Sequence, residues 1–174
     1  MYAGLLQESL YEVGRRWQMG ELTVAQEHAA TATVQFVLSS LYLDLPRAAP
    51  TRGVAVVAGI PGELHQLGAH MVADTLEADG WRVHFLGAGV PVPALLATVV
   101  EHDATLVGLS VTMPGNLPVL VSTIRELRTR VGDGVRVLVG GQGWLDVDVR
   151  HFGADAAARD VIEARDVARE LAAA

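Results

Sequence analysis

Glu63-Leu64-His65-Gln66-Leu67-Gly68 places a carboxylate two residues before an imidazole and a glycine three residues after it. A neutral histidine offers one ring nitrogen to a metal. A carboxylate on its other nitrogen fixes the tautomer and raises the basicity of the ligating one. One histidine does not hold a free zinc or iron ion, which needs several protein donors. It can complete the coordination of a metal already enclosed by a macrocycle. Taken alone, His65 reads more readily as a capping or solvent-facing loop residue. Further along, Ser110-Val111-Thr112 sets out two hydroxyls two residues apart, and Gly140-Gly141 lets another molecule approach the backbone closely. Hydroxyls that satisfy local backbone, and an ordinary turn, are the plainer readings of those two segments. Gly143 and Trp144 extend the second. Near the N-terminus, Trp17 is followed after nine residues by Glu27-His28.

These residues need elements to bring them together. Residues 1–45 carry a helical pattern. Leu6, Leu10, Val13 and Trp17 follow helical spacing, and Gly20 ends that segment. Thr23 with Gln26 predicts a capping box for a second helix, in which Glu27 shares a face with Val34, Leu38 and Leu41. A carboxylate on an apolar face needs a partner, and His28 is adjacent; a helix-start Glu that favours the macrodipole is the plainer account. Pro46, Pro50 and Gly53 mark a linker. Residues 53–174 then alternate. Apolar runs at 54–60, 81–86, 106–111, 135–139 and weakly at 154–158 predict strands. Helices are expected near 64–79, 93–102, 116–131, 145–151 and 160–172. The expected fold is α/β: a flavodoxin-like, Rossmann-like sheet of five parallel strands in the order 2-1-3-4-5, preceded by a partial helical-bundle cap. Ligands bind beyond the carboxyl ends of such strands, where the strand order reverses. Glu63 and His65 after strand 1, Ser110 and Thr112 at strand 3 and Gly140-Gly141 after strand 4 all fall there.

Bulk properties exclude several classes. The 174 residues include no cysteine, which removes disulfides, thiolate metal sites and cysteine nucleophiles. The formal charge of -7 argues against direct nucleic-acid binding. No apolar run reaches the roughly 20 residues of a membrane helix, and no basic N-terminal region marks a signal peptide. The expectation is a cytoplasmic protein with no membrane contact. Strand 1 ends Ala58-Gly59-Ile60-Pro61-Gly62, which offers neither a phosphate-binding loop nor a dinucleotide fingerprint. His70, His84, His102 and His151 read as helix or surface residues, and Asp146, Asp148, Arg159 and Asp160 as solvated charges.

Together, Glu63-x-His65-x-x-Gly68, Ser110-x-Thr112 and Gly140-Gly141, separated by 41 and 27 residues, closely resemble the signature of the cobalamin-binding Rossmann-like domains. The usual pattern there is Asp-x-His-x-x-Gly, Ser-x-Leu and Gly-Gly. Glu63 stands for the aspartate and Thr112 for the leucine. The resemblance implies that His65 is the lower axial ligand of cobalt and that the cofactor's own dimethylbenzimidazole is displaced into the crevice. It implies that Ser110 bonds near that base and that Gly140-Gly141 lets the nucleotide tail run along the backbone.

Trp17-x9-Glu27-His28 in turn resembles a motif of the B12-dependent photoreceptor regulators. There a helical module lies over the upper face of the corrin and its tryptophan covers the adenosyl group. Light breaks the cobalt–carbon bond, and the module shifts. The resemblance implies a light sensor that holds adenosylcobalamin, with methylcobalamin or hydroxocobalamin as other occupants, and that is not an enzyme. Two departures stand out. Gln18 occupies the position where some members carry a histidine that ligates cobalt after illumination. The family's module has four helices, and this chain carries roughly the last two, without the DNA-binding domain. Regulation of transcription would then run through a protein partner or a missing domain. Apolar residues such as Leu5, Leu6 and Leu10 would be left exposed, favouring a homo-oligomer. The alternative is a corrinoid methyl-carrier protein serving methyltransferases, which shares the lower-ligand signature and a helical cap.

Overall fold

The computed structural model describes residues 2–145 and 147–173. Asp146, expected to be a solvated charge, lies outside the described residues. The chain divides into two compact units, Met1–Pro46 and Arg47–Ala174.

In the first unit, a wide π-helical segment, Tyr2–Gln7, runs into α1, Glu8–Gln18. Gly20 ends that helix at φ 73°, a left-handed conformation that glycine adopts without a Cβ penalty. The capping box predicted for α2, Val24–Leu41, is present. The Gln26 N–H donates to Thr23 Oγ1, and the Thr23 N–H donates to Gln26 Oε1. α1 and α2 pack together, and Leu38 is fully buried. Glu27, Thr31, Val34 and Leu41 are half-buried on the same helix, as the face assigned from spacing requires. One expectation fails here. Leu5 is exposed and Leu10 half-buried, but Leu6 is buried together with Tyr2 and Gln7. The exposure expected of Leu6 follows from the absent helices of a four-helix module, yet the chain itself covers this residue.

The second unit is the expected α/β fold. Its strands are β1 Val54–Gly59, β2 Arg82–Phe85, β3 Leu106–Ser110, β4 Arg136–Gly140 and β5 Ala156–Ala157, all parallel, in the order β2-β1-β3-β4-β5. The helices are α3 Leu67–Ala78, α4 Val92–Glu101, α5 Leu117–Val131 and α6 Val161–Ala173. Alternate residues of β1 feed opposite faces. Val56 and Ala58 join a core with Leu95 and Val99 of α4 and Leu120, Ile124 and Leu127 of α5. Ala55 and Val57 join a second core with Ala69, Ala73 and Leu76 of α3 and Ala164 and Ala168 of α6. Helices on both faces explain why the strands read as continuous apolar runs.

Two elements differ from expectation. The helix expected at 145–151 is a short 3-10 turn, Val149–Phe152, opened by Asp148 accepting from the Arg150 N–H and ended by Gly153 at φ 97°. Leu145, Val147 and Val149 recur every second residue, which gives no helical stripe. The helix expected from residue 64 begins at Leu67, because residues 63–66 are engaged in the loop that ends β1.

Candidate cofactor site

Three neighbouring strands end level with one another. Gly59, Ser110 and Gly140 are in register across β1, β3 and β4. The β1 end is closed on the β2 side. Gly59 donates its N–H to the Gly87 carbonyl, and a Cβ on Gly59 would sit 3.1 Å from the Ala88 Cα. The edge over β3 and β4 carries the residues singled out from the sequence.

After β1 the chain turns at Ile60-Pro61-Gly62, with Gly62 at φ 81° and the Glu63 N–H donating to the Ile60 carbonyl. That turn drives the Glu63 side chain inward, where it is 0% exposed. A buried carboxylate must be saturated with donors. Oε1 accepts from the Leu64 N–H at 3.1 Å, the His65 N–H at 3.2 Å and the His65 ring Nδ1–H. Oε2 accepts from the Thr112 N–H at 2.8 Å, the Met113 N–H at 3.1 Å and Asn116 Nδ2 at 3.2 Å. Burial alone would raise the Glu63 pKa. The bonds from His65, Thr112, Met113 and Asn116 outweigh it and hold the group at about 2, so it is an anion at neutral pH.

His65 is therefore tied at one nitrogen only. Its side chain is 49% exposed, and Nε2 has no partner among the described residues. In the neutral ring, an Nδ1–H that donates to Glu63 leaves the lone pair on Nε2. Among the described residues no group of three or more His, Asp or Glu side chains could hold a metal ion. The site offers one nitrogen donor and suits a metal that brings its other ligands with it.

Around it, Gly68 lies in the first turn of α3, where a Cβ would meet nothing within 4 Å. Ser110 is 9% exposed, and its hydroxyl has no hydrogen-bond partner among the described residues. The structure brings Thr112 to Glu63 through its backbone N–H, whereas the sequence pointed to its hydroxyl. The glycine pair divides. A Cβ on Gly140 would meet only the Ala158 carbonyl oxygen at 4.0 Å, which leaves open space. Gly141, at φ 95°, presses on its own chain, since a Cβ there would sit 2.1 Å from the Val111 carbonyl oxygen. Gly143 donates its N–H to that same carbonyl at 2.9 Å. Gly141 thus joins the loops after β3 and β4.

Sequence reasoning missed Met113 and Asn116. Asn116 stands immediately before Leu117-Pro118, and an asparagine there reads as the N-cap of α5. It occupies that position but makes no side-chain cap bond.

In the first unit, His28 Nδ1 donates to Glu27 Oε2 at 2.5 Å, and Thr31 Oγ1 donates to Glu27 Oε1 at 2.8 Å. Trp17, in the last turn of α1, is 39% exposed. The remaining histidines have structural neighbours: His84 stacks on His102, His70 stacks on Phe85, and His151 lies by Asp148. No helix is long and apolar enough to cross a membrane among the described residues.

Residues 53–172 match the B12 binding domain family, and residues 1–42 match a second family model, also described as a B12 binding domain. The dimethylamine corrinoid protein 3 of Methanosarcina mazei is 31% identical over 169 residues, spanning 93% of this chain and 99% of that protein. The HTH-type transcriptional repressor CarH of Myxococcus xanthus is 36% identical over 132 residues, which are 76% of this chain and 44% of the repressor. The monomethylamine corrinoid protein of Methanosarcina barkeri superposes with a TM-score of 0.86 at 23% identity, covering 95% of this chain and 80% of that one, which shows a shared fold. The chain belongs to the B12 binding domain family.

Proposed function

We propose that this B12-binding chain is a corrinoid methyl carrier. It would hold a cobalamin-type cofactor and present it in turn to a methyl donor and an acceptor on partner methyltransferases, without catalysing the transfer itself. The observation that carries the cofactor reading is the buried, ionised Glu63 holding His65 with Nε2 free. The carrier reading draws on a corrinoid protein matching 93% of this chain, both units included, while the repressor matches 76%.

The residues present fit such a cofactor. His65 would be the single protein ligand to cobalt. Ser110, whose hydroxyl has no partner among the described residues, would bond to the displaced base, and the open space at Gly140 would take the nucleotide tail. Gly68 leaves the adjoining helix turn uncrowded. Bound cobalt would supply a centre able to accept and release a methyl group. The protein's own work is to keep a proton on Nδ1, aim Nε2 outward and hold three loops in place.

A second reading, the adenosylcobalamin light sensor, is favoured by Trp17 and the Glu27–His28 contact. Gln18 withholds the histidine that would take cobalt after light. One experiment separates the two. The protein is incubated with adenosylcobalamin in the dark, and its absorption and its assembly by gel filtration are recorded before and after green light. In parallel, protein loaded with hydroxocobalamin and reduced to the Co(I) state with titanium(III) citrate is offered to a corrinoid-dependent methyltransferase and its methyl donor. Methylation without a light-dependent change in assembly supports the carrier. A light-driven change in assembly without methylation supports the sensor. Failure to retain any cobalamin sinks both.

A further inference from the structure

We propose that Asn116, together with the Thr112 and Met113 amides, is a positioning group for His65, acting from a loop on a different strand through the far oxygen of Glu63. The proposal rests on the cofactor reading of His65 for its function and on geometry alone for its existence.

The division of labour on Glu63 is complete. Oε1 serves its own loop: Leu64, His65 and the imidazole. Oε2 serves only the loop after β3: Thr112, Met113 and Asn116. These loops leave the sheet in opposite directions. One leads to α3, which packs on one face, and the other to α5, which packs on the other face. The carboxylate spans the point where the chain diverges and ties the two loops together. A shared carboxylate therefore transmits the position of the β3 loop to the imidazole ring.

Asn116 is the side chain in this set whose placement has no other explanation. It stands at the N-cap of α5 yet forgoes the cap bond that makes asparagine favourable there. Its amide is committed to Glu63 instead. The residue at position 63 matches this use. Glutamate is one methylene longer than aspartate, and that reach lets one carboxylate serve both loops. Groups that orient a metal ligand from behind typically change metal affinity by about 10- to 100-fold when removed.

The test compares wild type with Asn116→Asp, Asn116→Ala and Glu63→Asp. Asn116→Asp is the decisive variant. It keeps the shape and is as good an N-cap, with the added favour of the helix dipole. A mere cap would therefore leave the protein unchanged or more stable. As a positioning residue it removes a donor and sets a second carboxylate against Glu63. Two readouts are taken: hydroxocobalamin affinity with the fraction of cofactor ligated by histidine, and amide hydrogen exchange of residues 63–66 and 111–116 without cofactor. Asn116→Ala is expected to weaken hydroxocobalamin binding about 10-fold. Asn116→Asp should weaken it more and speed exchange in both loops, and Glu63→Asp should release the 111–116 loop. Wild-type affinity and unchanged exchange in Asn116→Asp would overturn the proposal. If wild type itself binds no cobalamin, the cofactor reading fails, and the exchange arm still decides whether the loops are tied.

Discussion

Among the described residues two glutamate–histidine ion pairs occur, one in each unit, and they are built differently. Glu27 and His28 are neighbours on a helix, with side chains 22% and 73% exposed. Glu63 and His65 lie on a loop, with side chains 0% and 49% exposed. In the first pair the histidine is mostly in solvent and its partner is the adjacent residue. In the second the carboxylate is sealed inside and collects donors from residues 49 to 53 positions away as well as from its own loop. The same two residue types thus make a local surface contact in one place and a cross-loop joint in the other. Burial separates them. A sealed carboxylate must be saturated, and the donors that saturate it also immobilise the imidazole it faces.

The largest effect that would break this contrast comes from Glu63. Glu63→Gln loses the charge that satisfies its buried donors and is expected to cost about 3 kcal/mol in urea unfolding, in line with breaking a buried charged network. A loss no greater than that of a surface substitution would remove the contrast. The pH dependence sharpens it. Glu63 has a folded pKa of about 2, below the roughly 4.3 of an unfolded glutamate. Its stabilisation is therefore fully present above the unfolded value and is lost as pH falls through the folded one. The stability gap between wild type and Glu63→Gln should narrow steadily below about pH 4.3. A gap constant down to pH 3 would show that the carboxylate is not held ionised.

Next in size is Gly141→Ala. Its Cβ would meet the Val111 carbonyl oxygen at 2.1 Å in a backbone at φ 95°. The expected cost is about 2 kcal/mol, from strain at a left-handed position and a forced shift of the loop. Thermal unfolding measures it. Gly140→Ala meets only one atom at 4.0 Å and should be nearly neutral without cofactor. The smallest effect is expected from His28→Gln, about 0.5 kcal/mol or less, since that side chain is 73% exposed and its ion pair is screened by solvent. A loss matching that of Glu63→Gln would place the two pairs in one class.

Much of this was legible in the sequence. The order of the sheet followed from five apolar runs separated by helical stretches. The approach of Glu63 to His65, and of Glu63 to the chain that follows β3, agrees with their spacing along those elements. What escaped notice had physical causes. Asn116 stands at the edge of the helix expected near 116–131, and only side-chain geometry reveals that its amide turns to Glu63. Met113 and Thr112 contribute backbone N–H groups, which leave no mark on residue type. The tightness of Gly141 against Val111 is a contact between two loops, beyond the reach of any local pattern. The segment at 145–151 was mistaken for a helix despite its two-residue alternation.

The central claim is that His65 Nε2 ligates cobalt. Electron paramagnetic resonance of the Co(II) cobalamin-loaded protein, with histidine labelled by nitrogen-15, tests it directly. Ligation by His65 turns the nitrogen splitting of each cobalt line from a triplet into a doublet on labelling, and His65→Ala abolishes the change. A triplet that persists in the labelled wild-type protein would mean that the cofactor's own base remains on the metal, and the account of Glu63 and His65 would be wrong.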